Sequence, residues 1–172
     1  VYHALGSYKR FPSLVSYSSN NITKNAKGAG SFRDNANNIF NFVATRTDIF
    51  QLASGAFTSR KSGLTGGEAD YVTFTQFGNY VIASNGVDQP QYYLMGTSTN
   101  FANLNAIQSA GTTPLFRVSG VVRDFLVSGN ISTATNRIHW SGINDISAWS
   151  GKQSDFQDLP GSGGQIVAIT SG

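Results

Sequence analysis

The sequence predicts an all-β protein made of β-propeller blades, each a four-stranded antiparallel meander, set in a partial ring. Three observations lead there: a turn-rich composition poor in helix formers, short β-branched and aromatic runs bounded by Gly, Asn, Asp and Ser, and recurrence of those runs at a step of about 40 to 50 residues. Charged residues make up 12% of the 172, while Gly alone numbers 19. Ser and Asn are abundant, and Leu, Glu and Lys are scarce. The scarce residues supply helix propensity and the abundant ones oppose it. The 40% hydrophobic content, with 12 Phe, 7 Tyr and 2 Trp, provides the apolar area that disordered chains lack.

Several function classes lose support at this level. There is no cysteine, so a disulfide framework and a thiolate metal site are excluded. The net charge is only +3. Its basic residues are scattered, with two adjacent pairs, Lys9-Arg10 and Arg60-Lys61, and otherwise singletons such as Lys24, Lys27, Arg33 and Arg46. No basic run or basic-aromatic stripe forms an electrostatic footprint for nucleic acid. No apolar run approaches the roughly 18 residues of a membrane span, and no basic start with an apolar middle marks a signal peptide. The chain opens on Val1 and stops at Thr170-Ser171-Gly172 just after a new apolar run, which reads as a piece of something longer.

In order, residues 1–29 read as an N-terminal strand-and-loop segment and 30–172 as about three blades with the start of a further one. Val1 to Leu5 and Phe11 to Tyr17 are apolar, and Pro12 restricts any strand there to an edge or a start. The polar tract from Ser18, with Asn20-Asn21 and Lys27-Gly28, reads as a long loop. Strands follow at Ser31 to Arg33, Ile39 to Thr45 and Asp48 to Leu52, with a hairpin at Arg46-Thr47-Asp48. Ser54 to Gly67, rich in Gly, Ser and Thr, reads as a mobile loop. Tyr71 to Thr75, Asn79 to Ser84 and Gln91 to Met95 are the next strands. Val72 and Phe74 alternate with Thr73 and Thr75, the period-2 pattern of a half-buried strand. Asn85-Gly86 predicts a tight turn, since both tolerate positive φ. Phe101 to Ile107 reads as a weak strand or one helical turn. Val118 to Val122, Phe125 to Ser128 and Arg137 to Ser141 form the clearest unit, with a weaker fourth run at Ile146 to Trp149.

Gln165 to Thr170 then reads as the first strand of another unit. Phe32, Tyr71, Val118 and Ile166 begin equivalent runs, and Asn79 to Asn85 parallels Asp124 to Asn130 about 45 residues on. A four-stranded sheet cannot bury its apolar side alone and needs neighbours like itself. A β-sandwich with evenly spaced strands is the rival architecture.

Chemistry-bearing patterns are few, and the expectation is no catalytic residue, no cofactor and no metal. His3 and His139 have no metal-ligand spacing, and His139, between Ile138 and Trp140, reads as a hydrogen-bonded structural histidine. Ser162 in Gly161-Ser162-Gly163-Gly164 lacks the strand-then-helix context of a nucleophile elbow. That run and Gly28-Ala29-Gly30 also lack the Lys-Ser/Thr of a phosphate loop and read as flexible connections. Asp145, Asp155 and Asp158 are read as the densest carboxylates and as candidates for a paired-carboxylate hydrolase or a calcium loop; calcium-loop spacing is absent, and Asp or Asn before Ser or Gly is commonly a turn former. Asn21-Ile22-Thr23 and Asn130-Ile131-Ser132 match the glycosylation acceptor pattern. Trp140 and Trp149 form either blade packing or, as the alternative function, the aromatic face of a carbohydrate-binding propeller for cell-surface adhesion.

The run Asn136-Arg137-Ile138-His139-Trp140-Ser141-Gly142-Ile143-Asn144-Asp145-Ile146-Ser147-Ala148-Trp149 resembles a family of bacteriophage proteins: the β-propeller tail-hub or nozzle proteins of short-tailed phages, also called packaged-DNA stabilisation proteins. Arg123 to Asn130, Gln153 to Gly161 and Gly164 to Ile169 extend the likeness, which covers residues 121–169 strongly and Phe11 to Leu14 and Gly30 to Leu52 more loosely. Members of that family are several times longer. The resemblance implies a structural, non-enzymatic virion component in a homo-oligomeric ring, hexameric by the family's pattern. It implies neighbours on the adaptor and portal side and a tail needle or fibres. It also implies packaged DNA passing through the channel without sequence-specific binding.

Overall fold

The computed structural model describes residues 2–4, 7–9, 13, 15–161 and 164–170, with only the backbone course given for 2–4 and 7–9. The expectations that rest on Val1, Leu5, Phe11, Pro12, Leu14 and Ser162 lie outside the described residues.

A short hairpin, β1 (Tyr2–Ala4) with β2 (Ser7–Lys9), precedes three four-stranded sheets. The first blade contains β3 (Ala26–Arg33), β4 (Ile39–Thr45), β5 (Ile49–Ala53) and β6 (Ala56–Lys61). The second contains β7 (Thr73–Phe77), β8 (Tyr80–Ser84), β9 (Gln91–Leu94) and β10 (Ala102–Asn103), followed by one 3-10 turn over Leu104–Ile107. The third contains β11 (Phe116–Val122), β12 (Phe125–Ile131), β13 (Ala134–Trp140) and β14 (Asp155–Asp158). In every sheet the strands pair antiparallel in sequence order, the simplest solution when consecutive strands are joined by short turns. At Ser54-Gly55, between β5 and β6, both residues take positive φ (51° and 73°), the backbone twist that a two-residue hairpin requires.

The sheets stand face to face, with β7 lying against β3 on one side and β11 on the other. The leading strand of each blade thus lines a common axis, and the described residues form an open arc of propeller blades. Between the first and second blades lies a core of Phe42, Ala44, Ile49, Val72, Val81, Tyr93 and Phe101, joined by the partly buried Phe32, Phe40 and Phe74. Phe42 sits at its centre, edge-on to Tyr93 and Phe101 with centroids 5.1 and 5.0 Å away. A second core, with Ile82, Leu104, Phe116, Leu126, Ile146 and Trp149, separates the second and third blades. Two stacked sheets supply each core, which is why no blade has a core of its own.

Several boundaries differ from the sequence reading, each for a physical reason. Ser54 to Gly67 is not simply a loop: it contains β6, an outer edge strand whose Thr58 and Ser59 are exposed and carry no apolar signal. Lys27-Gly28 belongs to β3, because Gly28 permits an approach that a Cβ would block at 1.9 Å from the Val72 carbonyl oxygen. The fourth strand of the third blade is β14 rather than Ile146 to Trp149. Those four residues instead fold inward, burying Ile146, Ala148 and Trp149 against the second blade. At Asn85-Gly86 the positive φ falls on Gly86 as expected. The connection from β8 to β9 is nonetheless a longer loop, in which Asn85 Oδ1 accepts the N–H groups of Val87 and Asp88. Phe101 to Ile107 contains both expected forms, a two-residue strand and a helical turn.

Gln165 to Thr170 joins no ladder among the described residues. It lies across the open face of the third blade. A Cβ on Gly120 would sit 2.8 Å from the Ile169 side chain, and one on Gly129 would sit 3.0 Å from both Ile166 and Ile169. Replacing Phe42 by Ala removes the central ring of the first interblade core, so Phe42→Ala is expected to cost about 3–5 kcal/mol in urea unfolding. A loss below roughly 1 kcal/mol would place the ring outside any packed core.

Candidate functional site

The most developed polar feature lies along the axis, where the leading strands meet. Thr73 Oγ1 donates to the Arg117 carbonyl at 2.7 Å, and Thr75 Oγ1 donates to the Ser119 carbonyl at 2.9 Å while also meeting Ser119 Oγ at 2.9 Å. On the other side of β7, Val72 N–H donates to the Lys27 carbonyl at 3.0 Å and Gln76 Nε2 to the Arg33 carbonyl at 2.7 Å. Arg117 Nη2 meets Asp70 Oδ1 at 2.7 Å across the second and third blades. The Gly67 N–H and then Arg117 hold the Asp70 carboxyl below the usual carboxylate range. The leading strands are therefore tied by side chains and isolated backbone bonds, leaving the sheets distinct but fixed in register.

The alternation read in β7 is present, and every residue of the strand is partly buried. Phe74 packs toward Phe32 and Phe42 of the first blade, while Thr73 and Thr75 serve the third, so both faces are covered. Sequence reasoning missed the hydroxyl seam; its signal is the pair of threonines on a leading strand about one repeat before Arg117 and Ser119.

The three singled-out aspartates do not converge. Asp145 Oδ2 takes the Lys152 ammonium at 2.6 Å, and Oδ1 accepts the Ser147 N–H at 2.9 Å, so Lys152 and then Ser147 keep its carboxyl ionised to lower pH than usual. Asp158 forms a bidentate pair with Arg137, at 2.6 and 2.8 Å, which lowers its carboxyl as well. Asp155 Oδ1 accepts the N–H of Phe156. Asp155 and Asp158 lie three apart on β14 and therefore project to opposite faces. A general acid needs a raised pKa, and Asp145 and Asp158 are shifted the other way. Among the described residues, no group of His, Asp and Glu could hold a metal ion.

The remaining candidates are structural. His139 stands edge-on to Trp149 at 5.2 Å and to Phe156 at 6.0 Å, and its Nε2 lies 3.2 Å from the Trp149 carbonyl oxygen. Gly28-Ala29-Gly30 is strand rather than flexible connection or phosphate cradle. Trp149 is 3% exposed within the second interblade core, and Trp140 donates its indole N–H to the Gln153 carbonyl at 2.8 Å; they share no aromatic face for a sugar. Asn130 is 6% exposed with φ of 53°, so its acceptor pattern is closed to glycosylation, whereas Asn21 is exposed.

No family model matches the sequence, and no curated protein matches it. Among solved structures, the chain is similar to the crystal structure of the computationally designed Ika4 protein. The two are 15% identical over 91% of this chain and 86% of that one, with a TM-score of 0.56. The crystal structure of the mitotic checkpoint complex is 13% identical over 88% of this chain and 49% of that one, with a TM-score of 0.44. At such identity the first likeness concerns fold alone.

Burial pushes the His139 imidazole below its ordinary 6.5. In the unfolded chain that ring takes a proton near 6.5, and in the folded chain only at lower pH. Stability that is complete above the unfolded value is therefore lost as pH falls through the folded one. The urea midpoint is expected to drop between about pH 7.5 and about pH 5.5, and His139→Gln to shrink that drop. An equal drop in both proteins would contradict the assignment.

Proposed function

We propose that this chain is a structural, non-enzymatic component of a short-tailed bacteriophage tail. In this reading it is part of a hub or nozzle that lines the DNA exit channel and retains packaged DNA until ejection. The observation that carries the reading is the motif from Asn136 to Trp149, whose residues are engaged in architecture. Arg137 clamps Asp158 and lies 4.0 Å from the Phe156 ring centroid. Ser141 Oγ accepts the Leu126 N–H, Asn144 N–H reaches the Asp124 carbonyl, Asp145 orders the turn to Ser147 and Trp149 fills the gap between blades. A motif engaged in this way suits a protein whose work is shape. The propeller-blade fold agrees with what the resemblance implies.

The charge arrangement supports the reading further. Among the described residues, Lys24, Lys27, Arg46, Arg117, Arg137 and Lys152 are each paired with a carboxylate, which accounts for six of the chain's 12 basic side chains. Each unpaired cation facing DNA adds phosphate affinity through counterion release. A channel that must let DNA pass gains from keeping that affinity low. Copies of the chain would form a ring, sixfold by the family's pattern, between the adaptor and portal side and the needle or fibres, with exposed connections between strands meeting neighbours.

Gold-labelled antibodies raised against the purified chain, applied to virions that carry this sequence, are expected to decorate the tail end of each particle. Label absent from particles, with the protein recovered only free in infected cells, would sink the proposal.

A further inference from the structure

A cavity of about 500 Å³ opens where the leading edges of the second and third blades meet the segment 164–170. That volume lies within the range of small-molecule sites, roughly 300–1,000 Å³. Its walls combine an aromatic ring, an internally neutralised ion pair and two carboxamides. Tyr71 and Val167, 68% and 76% exposed, stand at the rim, and the buried Val118 supplies apolar wall. Arg117 and Asp70 neutralise one another at 2.7 Å. Deeper in, the buried Asn130 donates its Nδ2 to Gln165 Oε1 at 3.3 Å.

What these groups leave unused defines the ligand. Asn130 Oδ1 retains acceptor capacity, Gln165 Nε2 and Arg117 Nη1 retain donors, and the Tyr71 hydroxyl offers both; among the described residues none of the four groups has a protein partner. We propose that this cavity is a binding site for a neutral saccharide. A sugar ring carries several adjacent hydroxyls, each at once donor and acceptor, and an apolar C–H face that stacks on an exposed tyrosine. An acidic or basic ligand would compete with the Asp70–Arg117 pair, whereas a neutral one leaves it intact. Tyr71 and Gln165 are exposed while Asn130 is buried, so a ring stacked on Tyr71 would turn its hydroxyl edge toward Asn130. Asn130 takes part because its positive φ of 53° turns it out of the β12 ladder at a bulge, where the register shifts between Gly129 and Ile131. The site is argued independently of the tail reading, since it rests on cavity chemistry and not on the motif from Asn136 to Trp149.

Saturation-transfer NMR with the methyl glycosides of glucose, galactose and N-acetylglucosamine, and with glucose 6-sulfate as the charged probe, tests it on the full chain. Transfer to at least one neutral glycoside is expected, with little to the sulfate. Tyr71→Ala is expected to weaken binding about tenfold, the loss of one stacked ring. Gln165→Ala removes a donor and is expected to weaken it about fivefold. Both positions are solvent-exposed, so thermal midpoints should hold, and Gln165→Ala keeps the test alive if Tyr71→Ala does not fold. Transfer to none of the neutral glycosides, transfer mainly to the sulfate, or binding unchanged in both variants would each overturn the site.

Discussion

A four-stranded antiparallel sheet has two faces and too few residues to bury either by itself, and every feature of this molecule follows from how that constraint is met. The second blade shows the solution. Phe74 of β7 points into an aromatic cluster with Phe32 and Phe42, while Thr73 and Thr75 on the opposite face donate to the third blade's backbone. One interface is secured by apolar area, which is strong and non-directional, and the axial seam by hydroxyl hydrogen bonds, which fix register. Apolar packing alone would let the sheets slide over one another; the seam gives each blade one place to sit.

The strand pattern was legible wherever burial imposes a visible apolar signal. Ile39 to Thr45, Asn79 to Ser84 and Phe125 to Ser128 all stood out for that reason. Outer edge strands escaped detection, since they answer to solvent. Asp155–Asp158 is exposed at every position and Thr58 to Lys61 is wholly polar, so neither carries the signal that reveals β4 or β8. The opposite error arose at Ile146 to Trp149. Its residues are apolar because they plug the gap between two blades, and periodicity cannot separate a buried plug from a buried strand.

The candidate chemistry was legible in a different way. Aspartates crowded in sequence proved to be turn formers and ion-pair partners, since a strand sends residues three apart to opposite faces. The groups that gather around the axial cavity come from residues 70, 71, 117, 130 and 165, spread over nearly 100 positions. Only the stacking of blades brings them together, so no local motif could have announced them. The same logic explains why the phage-like motif is informative about architecture. Its polar members are fixed by hydrogen bonds within the third blade, and its second tryptophan is fixed by the neighbouring one.

The central claim is that the sheets are stacked by their leading strands, and a cysteine pair tests it most directly, because the natural chain contains no cysteine. Thr75 Oγ1 and Ser119 Oγ are 2.9 Å apart across the seam, close enough for the corresponding sulfurs to bond after small adjustment. Under mild oxidation, Thr75→Cys with Ser119→Cys should form an intramolecular disulfide nearly quantitatively in the folded protein. Thr58→Cys with Ser119→Cys, which pairs an outer edge of the first blade with the third, should remain reduced. Equal oxidation of both pairs, or none in the seam pair, would contradict the stacking.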